Sequence, residues 1–172
     1  METHIEIGVG KYIQEKFSKA QNKILVSTPI ISLPLAKELV TYLEKGINIK
    51  IILSEASDNQ TKKSIDFLQI HSKKSNSNKG ILEIKIVDFI QAALIHAKIY
   101  IIDEKFAIIG SANLTEDSFF DLPEYIIIHE ETDTILQITN NFFEIWDKYK
   151  NQSSKYVLKK RIGKLIKKFK NT

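Results

Sequence analysis

The sequence predicts an α/β domain with a mixed, mostly parallel sheet flanked by helices. Three observations predict it. Short runs of Ile, Val and Leu alternate with amphipathic stretches at helical spacing. Residues 23–53 read as strand, helix and strand with short links, a unit whose two strands pair in parallel. The chain has 172 residues, 43% of them hydrophobic, enough for one domain with its own core.

The elements follow in order. Ile5, Val9, Ile13 and Phe17 stand at helical spacing and predict a helix over residues 5–20, weakened at its start by Gly8 and Gly10. Lys23 to Ile31 reads as a buried strand. Ser32 is placed to cap the next helix, and Pro34 is tolerated in its first turn. Leu35, Ala36, Leu39, Val40 and Leu43 form the apolar stripe of that helix, and Gly46 ends it. Ile47 to Leu53 is the second strand. Thr61 to Ser72 reads as a helix, and KKSNSNKG at 73–80 as a polar loop. Ile81 to Val87, Leu94 to Ile102, Phe106 to Gly110 and Glu124 to His129 read as strands. Thr132 opens a helix with Ile135, Ile138, Phe142, Ile145, Trp146 and Tyr149 on one face. NQSS at 151–154 reads as a hinge before a basic amphipathic helix, Tyr156 to Phe169. The chain thus divides into a body, residues 1–150, and a basic C-terminal helical tail, residues 151–172.

Charge separates the two parts. The net charge is +4, but residues 151–172 hold eight Lys or Arg and no Asp or Glu. The body is left with 17 basic and 21 acidic residues, a net −4. A basic tail on a mildly acidic body suggests a polyanionic partner, either nucleic acid or an anionic membrane. No apolar run approaches a membrane span, and METHIEIGVGKYIQEK lacks the basic-then-apolar order of a secretory signal. The absence of cysteine excludes disulfides and thiolate metal sites and fits a reducing, cytoplasmic setting.

One stretch carries polar groups where core residues would pack. In IHAKIYIIDEKFAIIGSANLT, residues 95–115, alternation along the strand puts His96 and Lys98 on the same side. A two-residue turn at Glu104 and Lys105 would set Lys98 opposite Ser111 and His96 opposite Asn113. Gly110 would let a substrate or another backbone come close. An imidazole, an ammonium, a hydroxyl and a carboxamide on one patch suit a phosphate. Lys98 supplies charge, Ser111 and Asn113 donate hydrogen bonds, and His96 serves as nucleophile or proton carrier. No carboxylate cluster suited to magnesium accompanies them, so no metal or other cofactor is expected.

The spacing His96-x-Lys98-x(4)-Asp103-x(6)-Gly110-Ser111-x-Asn113 resembles the signature of the phospholipase D superfamily at every defining position. The resemblance extends over roughly residues 10–149, through the preceding strand-helix-strand unit and an acidic residue, Glu124, at about the expected distance beyond Asn113. It implies a phosphodiesterase in which His96 forms a phosphohistidine, Lys98 and Asn113 hold the non-bridging oxygens, and Glu124 orients the imidazole. Asp103 is expected to be structural. Thr115 either braces the loop after Asn113 or caps the segment TEDSF. Most members build one site from two motifs, and this chain has one, so the resemblance implies a homodimer. The motif does not name the substrate; the small size, the single motif and the +8 tail favour nucleic acid, DNA or RNA. Lys159, Lys160, Arg161 and Lys164 of the tail would track its phosphates, and Lys62, Lys63, Lys73, Lys74 and Lys79 would offer a basic rim. The alternatives are a membrane lipid such as cardiolipin, which the amphipathic tail would also suit, and a non-catalytic nucleic-acid-binding module.

Overall fold

The computed structural model describes residues 1–56, 58–72, 79–87 and 96–149. The tail from residue 151, with Lys159, Lys160, Arg161 and Lys164, lies outside the described residues, as do Lys73 and Lys74. In chain order the elements are β1 (Glu2–Ile7), α1 (Gly10–Ser18), β2 (Lys23–Ser27), α2 (Leu33–Glu44), β3 (Asn48–Ser54) and α3 (Asn59–Ser72). They continue with β4 (Leu82–Val87), β5 (Lys98–Ile102), β6 (Phe106–Gly110), a π-helical turn (Asp117–Asp121), β7 (Pro123–His129) and α4 (Thr132–Lys148).

The strands form one seven-stranded sheet in the order β1-β7-β6-β5-β2-β3-β4. β2 pairs in parallel with β3, and β3 with β4, as the strand-helix-strand reading requires. The other four pairings are antiparallel. The sheet is therefore mixed, but the expectation of mostly parallel pairing needs correction. Five strands point one way; β5 and β7 run against them and lie between them. The short β5–β6 connection forces that reversal, because only antiparallel neighbours can be joined by a tight turn.

Both faces of the sheet are covered. One core gathers Val9, just before α1, and Ile13 and Phe17 of α1 with the stripe of α2 and Ile65 and Leu68 of α3, against Ile24, Val26, Ile49, Ile51, Tyr100, Ile102 and Ile126. The other sets Ile135, Ile138, Phe142 and Trp146 of α4 on Leu25, Ile52, Ile99, Ile101 and Ala107. Each fully buried Ile or Leu contributes about 1.5–3 kcal/mol. Burial on two faces explains why β2, β3 and β5 read as near-continuous apolar runs.

Local chemistry sets the boundaries. Gly46 follows α2 at φ +88°, a left-handed conformation that favours glycine, and its N–H reaches the Leu43 carbonyl. Asp58 caps α3 by accepting from the N–H groups of Gln60 (2.7 Å) and Thr61 (2.8 Å). Ser32 occupies the cap position of α2, yet its hydroxyl makes no capping bond and is buried without a partner among the described residues.

The N-terminal segment departs from expectation. Residues 2–7 form a strand, not the first turns of a helix. Their pairing with β7 alternates half-buried His4 and Glu6, which face Tyr12 of α1, with exposed Ile5 and Ile7. Helical spacing of four apolar residues was outweighed by an available sheet edge.

Candidate active site

β2, β3, β4 and β6 all end on one edge of the sheet, and β5 and β7 begin there. Loops at such an edge are free of the sheet's hydrogen-bonding pattern and are where α/β folds place their ligands. His96, Lys98, Gly110, Ser111, Asn113, Thr115 and Glu124 all lie on this edge.

The β5–β6 hairpin positions them with a register one residue away from the expected one. Lys98 pairs with Gly110, and Ile102 with Phe106. Three residues, Asp103 to Lys105, close the turn, because Asp103 and Glu104 both take left-handed conformations at φ 52° and 54°. Asp103 is stabilised there by what its carboxylate does. It accepts from the backbone N–H groups of Gln21 (2.7 Å), Asn22 (2.9 Å) and Lys23 (2.8 Å) at the start of β2. It sits at the far end of β5 from His96 and latches the hairpin to the sheet.

Lys98 is 6% exposed, and its Nζ lies 3.0 Å from Nδ1 and 3.4 Å from Nε2 of exposed His96. Near-equal distances place the ammonium against the imidazole rather than along one lone pair. Burial pushes the Lys98 ammonium below the ordinary lysine range, and the negative charge of Glu124 opposes that shift. Lys98 forms no ion pair among the described residues, so its charge remains available to an anion.

Gly110 permits a close approach, as its type suggested, and what approaches is backbone. A Cβ there would lie 2.0 Å from the Tyr125 carbonyl oxygen. That contact lets Ser111 engage β7 fully. The Ser111 N–H donates to the Tyr125 carbonyl (2.9 Å), the Tyr125 N–H donates to the Ser111 hydroxyl (3.0 Å), and that hydroxyl donates to Glu124. Ser111 is thus committed to β7 rather than free for a substrate. Among the described residues Glu124 receives Ser111 and not His96, because the β6–β7 pairing delivers it beside residue 111.

The loop after β6 is held by two residues that the sequence reading did not single out. Tyr100, fully buried, donates its hydroxyl to the Ala112 carbonyl (2.8 Å), and burial raises its ionisation well above the ordinary tyrosine range. Thr28 accepts from the Leu114 N–H (3.3 Å), while the Ser32 N–H donates to the Leu114 carbonyl (3.0 Å). A lone Tyr within a run of Ile was the available signal for the first. Between these anchors Asn113 keeps a buried amide oxygen without a partner among the described residues. A half-turn of the amide would present its NH2 at the same place. Thr115 caps the following turn, accepting from the Ser118 N–H at 3.4 Å. Of the basic rim, Lys62 and Lys63 lie on the first turns of α3, whereas Lys79 pairs with Glu44 (3.2 Å) beyond the opposite edge of the sheet. Among the described residues no three His, Asp or Glu side chains are grouped as metal ligands.

The model of the family described as cardiolipin synthase, PLD-like domain, matches residues 13–146. The chain belongs to the phospholipase D superfamily. The match spans every element from α1 to α4 and includes the whole hairpin. No curated protein matches the chain in sequence. Among solved structures, NucT from Helicobacter pylori superposes with a TM-score of 0.67 at 17% identity, over 85% of this chain and 94% of that one. The phospholipase D family member Nuc from Salmonella typhimurium gives 0.61 at 15% identity, over 85% and 95%. Phosphatidylserine synthase from Haemophilus influenzae Rd KW20 gives 0.58 at 14% identity, over 83% of this chain but 37% of that one. At these identities the likeness is one of fold.

Proposed function

We propose that this chain is a phosphodiesterase cutting nucleic acid through a phosphohistidine at His96, in a site completed by a second copy. The observation that carries the reading is the buried Lys98 ammonium, without an ion pair among the described residues, held against the exposed His96 ring on the ligand-binding edge. A desolvated fixed cation beside a nucleophile stabilises charge developing on phosphoryl oxygens. In the first step a ring nitrogen of His96 forms an N–P bond as the P–O bond to the leaving group breaks. The second chain's His96 gives its proton to that leaving oxygen. It then takes a proton from water, whose oxygen displaces the ring nitrogen from phosphorus. One imidazole must be neutral and the other protonated, so the rate falls on both sides of an optimum pH.

The single motif supports two chains per site. So does size: this fold accounts for nearly all of NucT and Nuc, but for only 37% of the phosphatidylserine synthase chain, which has room for a second unit. The +8 tail supports nucleic acid as substrate. The family description and the likeness to phosphatidylserine synthase favour a lipid phosphodiester as the second reading. No helix among the described residues is long and apolar enough to cross a membrane. The deciding experiment incubates the protein with single-stranded DNA, duplex DNA, RNA and cardiolipin vesicles, each with EDTA. Nucleic-acid cleavage that persists in EDTA and disappears in His96→Ala is the expected result. Cleavage of lipid alone would overturn the substrate.

A further inference from the structure

Helix α4 covers its face of the sheet unevenly. Ile101 of β5 and Ala107 of β6 are fully buried, and Ile109 and Ile127 are half-buried. Further toward the β1 edge, Tyr125 is 39% exposed, Ile7 60% and Ile5 77%. Register sets Ile5 against Tyr125 and Ile7 against Pro123, so these side chains form one row on the α4 face. Lys98 and Glu124 project from the other face, in step with Tyr100 and Ile126 of the α1 core. The row therefore lies beside the candidate site without containing it. Scattered apolar residues on a surface are ordinary, but a contiguous row on an open sheet face marks a contact surface.

The charge around the row narrows what can cover it. Residues 1–7 and 121–131, which hold β1, β7 and the positions beside β7, carry Glu2, Glu6, Asp121, Glu124, Glu130 and Glu131 and no Lys or Arg. A polyanion or an anionic surface is repelled there, and the same face of a second copy would bring like charges together. The occupant has to be apolar on one side and basic at its margins. Residues 151–172 fit that description. Leu158, Ile162, Leu165, Ile166 and Phe169 stand at helical spacing on one stripe, and every charged side chain of the tail is Lys or Arg. We propose that the chain's own tail docks this stripe on the row of Ile5, Ile7 and Tyr125, its basic margins meeting the carboxylates.

The tail is long enough to reach. α4 ends with Trp146 under the ammonium groups of Lys50 (5.0 Å) and Lys85 (4.5 Å), on β3 and β4. Four strand spacings separate β3 from β7 and five separate it from β1, about 19 and 24 Å. Residues 150–155 extend up to about 20 Å, and the helix read over residues 156–169 adds about 21 Å. Body and tail also attract one another, at −4 and +8. Lys160, Lys164 and Lys167, opposite the stripe, would then stand in water near the edge where Ser111 bonds Tyr125. That sets the tail's charge where the nucleic acid proposed above would pass. This consequence rests on that reading; the docking does not.

The test uses the full-length, cysteine-free chain without substrate. Ile7→Cys is expected to react slowly with an alkylating reagent, at a rate that dilution leaves unchanged. Adding Ile162→Glu and Leu165→Glu spoils the stripe and leaves residues 1–149 as they are. It is expected to speed the reaction about tenfold or more, as when a cover open about a tenth of the time is removed. Ile81→Cys, 59% exposed just before β4, is expected to react fast in both backgrounds. Equal Ile7→Cys rates in the two backgrounds overturn the proposal. So does a rate that falls as concentration rises, which means a second copy covers the face. Protection of Ile81→Cys by the intact stripe overturns the choice of face. Should Ile7→Cys fail to fold, Ile5→Cys paired with Leu158→Cys, Leu165→Cys or Phe169→Cys supplies the second readout. On oxidation one of these pairs is expected to close within a single chain, and closure of none overturns the docking. Alkylation and cross-linking are read without turnover. An inactive protein with a docked tail therefore counts against the phosphodiesterase reading alone, and an active one with a free tail against the docking alone.

Discussion

Gly110→Ala is the sharpest test of how the site is built. The added methyl would lie 2.0 Å from the Tyr125 carbonyl oxygen and 2.9 Å from the Ile126 Cα. Both neighbours are backbone, so neither can rotate away. β6 and β7 must separate locally, and the first bonds to lengthen join Ser111 and Tyr125, at 2.9 and 3.0 Å. Overpacking of this kind costs about 1–3 kcal/mol, and two hydrogen bonds add about 0.5–1.5 kcal/mol each. The total, about 2–6 kcal/mol, corresponds to a fall in melting temperature of about 5–20 °C for a chain of this size. Thermal unfolding followed by circular dichroism measures it. Phosphodiesterase activity below the new transition should also drop, because the separation displaces Ser111 and Glu124. A variant melting within ~2 °C of wild type would refute the argument that Gly110 is there for strand contact.

Three further outcomes are expected. Lys98→Met should lower turnover about 100-fold or more through loss of transition-state charge stabilisation. Because Lys98 is depressed in the folded chain, the folded state holds fewer protons than the unfolded one between that depressed value and about 10.5. Wild-type stability should therefore contain a component that rises with pH through that window and is lost as pH falls below it. Lys98→Met should lack that component in pH-dependent denaturation curves. Asp103→Ala should destabilise by about 2–4 kcal/mol through three stranded N–H groups while leaving turnover per folded molecule unchanged, which urea titration paired with activity will show. Asp103→Asn, which tolerates the left-handed backbone and keeps one acceptor, should cost less. Charge reversal at Lys159, Lys160 and Arg161 should weaken nucleic-acid binding and flatten its salt dependence in filter-binding or anisotropy titrations.

Much of this architecture was legible in residue order, for identifiable reasons. α2 and α4 carry apolar stripes at unbroken helical spacing, and the link between β2 and β3 is short enough to dictate parallel pairing. The candidate site residues stood out because their spacing is improbable, not because any one is distinctive. What escaped was tertiary. Ile5 and Ile7 fit a helical period with Val9 and Ile13, and only the edge offered by β7 makes them a strand. The hairpin register slipped by one because nothing in Asp103 or Glu104 announces two consecutive left-handed residues. That conformation is held by N–H groups from residues 21–23, some 80 positions away in the chain. Ser111 had the look of a phosphate donor, and its allegiance to β7 is visible only once Tyr125 stands beside it.

The clasp of Asp103 on the start of β2 also bears on the order of events when the chain is made. Segment 21–23 leaves the ribosome long before residue 103, so the first half is synthesised with three amide protons still waiting for their acceptor. Long loops close slowly, and this closure cannot precede the hairpin's own emergence. The hairpin is therefore clamped to β2 late, only when residue 103 seats. A nascent chain halted before that residue would hold its first strands without the clamp that ties the β5–β6 turn to them.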